Sequence, residues 1–491
     1  MKALIIGTGI AGLSTALRLL RRGYEVEMVE GFSQPGGRLN QVRKDGFAFD
    51  MGPTFFSMSY EFDELAADAG INMPFKKREL DPIYTVWYDT PGKNFTIYRD
   101  FNKLEDQFKR YEPLFSDKME RYMKSTGLLY FDTEKKIIKR NFNTLASYIA
   151  SLMSVPLKHL PKVTRNFWQE LGRYFSSDEI KEILSLVAFF LGGTPFDTPA
   201  VYTMLSYTEF VHDGYYNIDG GMYKIVEGLV EELRKRGVKI SYNTRITDYE
   251  SDNNGVRFFI DSASNTYKAD LFIVNADAAN FRGKVMNRKK FQESRLDKMK
   301  WTMAPLSIYL GINRKVPAID HHNYFLRGNF KDYVNKIYKN RIKMDQPYYY
   351  VNVVSRYNNN AAPEGCEAIF ILVPVPDLRF KPDWNDIGTI SENIFTDLSQ
   401  RIGFDLNEHI ISKTVLTPFD WEKMFSLHRG SGLGLAHNLN QIAWFRPSNR
   451  DEVYNNLFYT GSSTIPGTGV PMAVISSKLV TEQIDKVYGT L

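Results

Sequence analysis

The chain has 491 residues, more than one hydrophobic core accommodates, and 43% of them are hydrophobic, so at least two folded domains are expected and disorder is excluded. The lone cysteine, Cys366, excludes a disulfide framework, a CxxC redox pair and a cysteine-built zinc site, and no metal centre is expected. A net charge of +5, if spread evenly, is too small for a nucleic-acid footprint.

In chain order, residues 3–6 read as a short apolar strand, followed by Gly7-Thr8-Gly9-Ile10-Ala11-Gly12. Leu13, Ala16, Leu17 and Leu20 then recur at helical spacing, Gly23 closes that helix, and 25–30 alternates as a second strand. Residues 34–38 form a turn-rich loop, and 83–89 with 95–99 pair as a hairpin around Thr90-Pro91-Gly92-Lys93-Asn94. From about 101 to 191 the pattern is helical. A helix follows over 223–236, then strands near 238–242 and 271–275. Strands at 306–313, 348–355 and 368–375 precede a helix over 387–402. The chain ends in a strand at 457–460, a glycine-rich turn and a final helix. No apolar run reaches the length of a membrane span and no signal peptide stands out, so a cytoplasmic, soluble or surface-bound protein is expected.

The first unit carries the densest chemistry. Gly7 permits a tight turn, Gly9 lets a pyrophosphate approach the backbone, and Gly12 lets helix and strand pack closely. The helix N-terminus supplies free N–H groups and a positive dipole end to phosphates. Glu30 ends the second strand, where a carboxylate accepts hydrogen bonds from a ribose. Gly36-Gly37-Arg38 adds a second glycine turn with a guanidinium. The fingerprint alone leaves FAD and NAD both open.

These motifs, with Asp50-Met51-Gly52-Pro53-Thr54, resemble the N-terminal region of amine-oxidase-like flavoproteins. Further along, 216–222 is similar to that family's second glycine motif. The segments 321–323, 362–365, 374–376, 430–435 and above all 459–472 resemble phytoene-desaturase-type carotenoid desaturases, nearest to the 1'-hydroxycarotenoid 3,4-desaturase branch. The resemblance implies a mixed α/β fold. Its parts would be a Rossmann-like FAD-binding domain (1–75, 215–300 and 421–491), an interleaved substrate-binding mixed sheet (76–100 and 301–420) and a helical, membrane-facing subdomain (101–214).

It also implies FAD as cofactor, with Gly7, Gly9, Ala11 and Gly12 on the pyrophosphate, Glu30 on the adenosine ribose, and Gly37, Arg38 and Leu39 on the phosphate side. Thr54 and Phe55 would approach the flavin ring or ribityl chain, and Ile246 the adenine, with Asn275 nearby. Leu433, Gly461, Gly469, Val470, Pro471 and Met472 would complete the flavin side. Where many relatives carry an acidic residue after the last glycine motif begins, this chain has Ser462, which favours the phytoene-desaturase branch.

Desaturation by a flavin needs a donor carbon held close and water kept out, with little acid–base machinery. No catalytic base is identified, and His321, His322, His428 and His437 are read as structural. The aromatic residues of 301–420, such as Tyr348, Tyr349, Tyr350, Tyr357 and Phe370, fit a substrate tunnel and core packing equally. A hydroxylated substrate would insert its other, hydrocarbon end toward the flavin. The electron acceptor, oxygen or quinone, stays open. Phytoene desaturase, a carotenoid isomerase, an amine oxidase and a non-enzymatic prenyl-binding escort are the competing readings.

Charge is in fact uneven. Lys135, Lys136, Lys139, Arg140, Lys158, Lys162, Arg165 and Arg173 face only Glu170 within 135–173. The same segment carries apolar residues at 142, 145, 148–149 and 152–153, spaced for one helical face. This reads either as an interfacial helix on an anionic bilayer or as a core-facing helix with a basic rim. The insolubility of a carotenoid favours the first, as a tunnel mouth.

Overall fold

The computed structural model describes residues 1–337 and 346–489. Its first layer is a five-stranded parallel sheet, in the order 239–241, 25–29, 2–6, 271–274 and 457–459. Alternation along these strands sends Ala3, Ile5, Val26 and Met28 to one face, where they pack with Leu13 and Leu17 of helix Ile10–Arg21, Leu229 and Ile484. Leu4, Ile6, Val29, Phe272 and Val274 go to the other face, which a three-stranded antiparallel sheet covers with Ile246, Val256 and Phe259. Strands apolar on both faces are what a buried parallel sheet requires.

The second layer is a seven-stranded mixed sheet ordered 410–416, 304–312, 367–375, 349–353, 322–325, 84–87 and 94–97. All its pairings are antiparallel except that of 322–325 with 84–87. Strand 322–325, strand 410–416 and the hairpin of 41–44 with 47–50 were not legible as strands in the sequence, being short or polar.

Alternation in this sheet divides its side chains between two faces, Phe325 and Tyr349 going with the aliphatic residues because they fall on the odd register of their strands. Leu306, Ile308, Leu310, Val351, Val353, Ile369 and Ile371 face helix Ile387–Ile402. Tyr84, Tyr309, Tyr324, Tyr348, Tyr350 and Phe370 face the opposite side, in one apolar cluster with Phe49 and the helical segment at Phe115, Met119 and Tyr122. Six aromatic side chains thereby share the sheet face that the helical segment covers.

The helical segment begins with Phe101–Phe108 and Phe115–Thr133 and includes two π-helical turns, Glu134–Ile138 and Thr208–His212. Helix Leu145–Met153 does not bury its apolar stripe: Leu145, Ile149, Leu152 and Met153 are exposed, and only Phe142 at its foot is buried. Leu157, Leu160 and Val163 continue the exposed series. A core-facing helix is therefore excluded.

The basic residues of the same segment divide in a way the linear count did not foresee. Lys162 is buried on Glu170 at 2.7 Å, with Arg165 at 3.1 Å and Arg173 at 3.6 Å from the same carboxylate. Lys139 is enclosed by Glu61, Glu64 and Glu134. Lys158 pairs with Asp132 at 3.0 Å. Lys135 and Arg140 are exposed and make no ion pair among the described residues. The sequence reading of an unopposed basic run is corrected to this extent, because carboxylates remote in the chain fold back onto it. No helix among the described residues is long and apolar enough to cross a membrane.

Candidate flavin and substrate site

The glycine turn and helix Ile10–Arg21 form a cradle with open donors. Gly9 is the N-cap, no side chain caps the helix, and the first intrahelical bond runs from Leu13 N to Gly9 O at 3.0 Å. The N–H groups of Ile10, Ala11 and Gly12 thus lie ahead of the helical ladder, as an anion site requires. Space is the second requirement. A methyl group at Gly12 would sit 2.3 Å from the Gly7 carbonyl oxygen and 2.9 Å from Asn275 Nδ2.

Asn275 draws the second glycine segment to this turn. A methyl at Gly461 would lie 2.8 Å from Asn275 Oδ1 and 3.8 Å from Ala11 Cβ. Gly461 N donates to Ser476 Oγ on helix Val470–Tyr488 at 3.0 Å. Gly469 is that helix's N-cap, again without a side-chain cap, so Val470, Pro471 and Met472 present a second uncapped N-terminus, with Pro471 lacking the N–H that would be orphaned there.

Glu30 is buried beside the first cradle, accepting from Thr8 N at 2.8 Å, Thr8 Oγ1 at 2.6 Å and Phe32 N at 3.2 Å. These bonds fix the orientation of the carboxylate beside the cradle. Thr244 N donates to the Glu30 carbonyl at 2.7 Å, which brings buried Ile246 alongside. Gly9 and Gly36 form a bridge that lays Gly37 over the turn, and Leu39 is buried behind it. Arg38 reaches across to the C-terminal segment, donating to the Gly432 carbonyl at 3.1 Å and to Ser462 Oγ. Leu433, next in line, donates its N–H to Thr302 Oγ1 at 3.0 Å. Ser462 has thus a positive partner of its own, where an acidic residue was expected from many relatives. The buried uncapped donors, the glycine-lined gap and the adjacent carboxylate fit a dinucleotide such as FAD.

Thr54 and Phe55 lie against the aromatic sheet face. Phe55 stacks on His322 at 3.9 Å and packs on Tyr215 at 4.9 Å, Phe190 at 5.1 Å and Tyr350 at 5.8 Å between ring centroids. Thr54 Oγ1 hydrogen-bonds Tyr350 Oη at 2.8 Å, and Tyr350 Oη bonds His322 Nδ1. Phe55 and Phe190 keep part of their surface uncovered although buried rings surround them.

The other motif histidines serve as pins. His321 Nδ1 donates to the Val353 carbonyl at 2.9 Å. His428 binds Asp297 at 3.0 Å through Nε2. His437 donates from Nδ1 to the Leu191 carbonyl at 3.3 Å and accepts from Thr468 N at 3.2 Å. Burial holds His321, His322 and His437 below the ordinary histidine range, so all three are neutral at pH 7.

Two carboxyl groups of the site escaped the sequence reading as functional residues. Asp50 accepts from Met222 N at 2.8 Å and Tyr223 N at 3.0 Å, ahead of helix Lys224–Lys235, and burial pushes it up to about 6. Glu209, on the π turn, is buried beneath Tyr84, Tyr215 and Tyr324, and burial pushes it up to about 8 against a hydrogen bond from Tyr215. Glu209, the one acid between Asp197 and Asp213, carried no other signal in the sequence.

Comparison with known proteins places the molecule. The model of flavin containing amine oxidoreductases matches residues 10–485. The zeta-carotene-forming phytoene desaturase of Myxococcus xanthus is 31% identical, covering 98% of this chain and 93% of that protein. The 1-hydroxycarotenoid 3,4-desaturase of a Flavobacterium species is 28% identical over 98% and 99% of the two chains. Putrescine oxidase bound to putrescine superposes with a TM-score of 0.65 at 14% identity over 99% of each chain, a likeness of fold alone. The chain belongs to the flavin containing amine oxidoreductase family and, within it, to the phytoene-desaturase-type carotenoid desaturases. It is an FAD-dependent oxidoreductase acting on carbon–carbon bonds.

Proposed function

We propose that this enzyme introduces the 3,4 double bond of a hydroxycarotenoid taken up from an anionic membrane surface. The supporting observation is the gathering of Tyr84, Tyr309, Tyr324, Tyr350 and Phe370 onto the sheet face against which Phe55 packs. An aromatic wall of that kind holds a polyene by dispersion and stacking and excludes water without hydrogen-bonding demands.

In this reading Gly7, Gly9, Ala11, Gly12, Gly37, Arg38 and Leu39 hold the pyrophosphate side of FAD, Glu30 the ribose and Ile246 the adenine side. Asn275 stands beside the pyrophosphate turn and the adenine side, and Thr54, Phe55, Leu433, Gly461, Gly469, Val470, Pro471 and Met472 surround the ribityl chain and ring. Bound FAD supplies a two-electron hydride acceptor for the substrate C–H bond. The chain's part is to press the end of the polyene against Phe55 and keep solvent from it. The exposed series Leu145, Ile149, Leu152, Met153, Leu157 and Leu160, flanked by Lys135 and Arg140, supports a bilayer contact through which the carotenoid enters.

Expression in cells that make phytoene, lycopene or hydroxylated carotenoids tests the reading. A product two hydrogens lighter, with absorption at longer wavelength, from the hydroxylated substrate is expected. Unchanged mass with altered geometry would establish an isomerase instead. Desaturation of phytoene alone would assign the earlier step. Peroxide release from amines would favour an amine oxidase, and protein without flavin absorption even after FAD is added a prenyl-binding escort.

A further inference from the structure

Around Phe55 pack the rings of Phe190, Tyr215, Tyr324 and Tyr350 and one imidazole, that of His322. His322 is 1% exposed, and its Nε2 is buried with no hydrogen-bond partner. Its other ring nitrogen is fully engaged: Nδ1 accepts from Asn352 Nδ2 at 3.2 Å and bonds Tyr350 Oη, which is itself tied to Thr54 Oγ1. With Nδ1 as acceptor and the ring neutral, the proton resides on Nε2. A buried N–H without a partner loses its hydration with nothing in return, and native interiors leave few of them. The adjoining Asn323, Asn352 and His321 side chains are engaged: Asn323 donates to the Asp320 carbonyl at 2.6 Å, Asn352 to the His321 carbonyl at 2.8 Å, and His321 to the Val353 carbonyl at 2.9 Å.

The ring cannot turn away, because it lies flat on Phe55 with 19° between planes and is held at Nδ1 by two groups. A hydrocarbon end group would leave the Nε2 proton unpaired. A hydroxyl oxygen would accept it. We propose that His322 Nε2–H is the donor that recognises the hydroxyl group of the substrate, making His322 a specificity-determining residue, with Tyr350, Thr54 and Asn352 as its positioning residues. The proposal rests on the carotenoid-desaturase reading. It reverses the orientation expected from the sequence, because the hydroxylated end then enters toward Phe55 and the new double bond forms on that same end.

The test uses the FAD-loaded enzyme and two acyclic carotenoids of equal conjugation, one hydroxylated and one not. Both are end products that are not turned over, delivered in liposomes. Binding is read from quenching of tryptophan fluorescence. The wild type is expected to bind the hydroxylated carotenoid ~10-fold more tightly. His322→Phe should bring the two affinities to within about twofold, and His322→Gln, which retains an amide donor, should restore part of the preference. Tyr350→Phe removes one of the bonds that orient the ring and should lower the preference without removing the donor.

Equal affinities in the wild type, or an undiminished preference in His322→Phe, would overturn the proposal. Loss of flavin absorption in His322→Phe but not in Tyr350→Phe would place the donor on the cofactor and overturn it as well. If neither carotenoid binds the wild type, the carotenoid reading fails and this inference with it. If both bind equally and the hydroxylated precursor is still desaturated, only the role of His322 fails. Fragmentation of the desaturated product supplies an independent readout: a new double bond at the hydroxyl-free end would refute the orientation.

Discussion

The double variant Met153→Ser/Leu157→Ser separates a membrane contact from a structural one. Both side chains project into solvent, with exposures of 81% and 82%, so removing them takes little from the folded state. Each is expected to contribute ~1.5–2.5 kcal/mol when transferred from water to the acyl boundary, near the value for fully burying such a side chain. The pair should weaken partitioning into anionic liposomes by about 3–5 kcal/mol, or ~100-fold or more. Flotation with phosphatidylserine-containing vesicles measures this directly. Thermal unfolding, followed in parallel, should change by less than ~0.5 kcal/mol. Undiminished flotation at unchanged stability would refute the interfacial reading of 145–163. Neutralising Lys135 and Arg140 (Lys135→Gln, Arg140→Gln) should cost a further ~1 kcal/mol each at low salt. Lys162 and Arg165 are poor probes of the same idea, since reversing them disrupts the Glu170 cluster.

Gly12→Ala should abolish flavin retention in the purified protein, because the added methyl meets the Gly7 carbonyl at 2.3 Å; a fully yellow variant would contradict the cradle. Glu170→Gln should cost ~3–5 kcal/mol in urea unfolding, since it leaves Lys162 buried without its counter-charge. Glu209 binds its proton more tightly in the folded state than in the unfolded chain, so the folded state is favoured at low pH. Its contribution is fully present near pH 4 and is lost as pH rises through about 8. Glu209→Gln should therefore flatten the decline of stability between about pH 5 and 8, and parallel wild-type and variant curves would refute the assignment.

The mononucleotide unit was readable from residues 3–30 alone because its information is local. A strand, a glycine turn and a helix contiguous in sequence fold onto one another, and Gly7, Gly9 and Gly12 report backbone positions where a Cβ has no room. Helix Ile387–Ile402 was equally plain, since its period of 3.6 runs unbroken for four turns. Strand 322–325 was not, because His322 and Asn323 are polar residues buried by neighbours from 349–353 and 84–87.

What the sequence by itself determined was the cofactor signature, the alternating strands and the amphipathic helices, each written within a few residues of chain. Its length, its hydrophobic content and its single cysteine had already limited the molecule to a disulfide-free protein large enough for several domains. Only the tertiary structure decided which way those faces turn. Periodicity states that a helix has an apolar stripe and not what covers it, so the exposure of 145–163 had to be seen. The charge of +5 behaved likewise: Glu61, Glu64 and Asp132, distant or outside the basic stretch in sequence, cancel much of it in space. The aromatic count acquired meaning in the same way, when strand alternation gathered Tyr84, Tyr309, Tyr324, Tyr350 and Phe370 around Phe55 and left His322 among them with one hydrogen unshared.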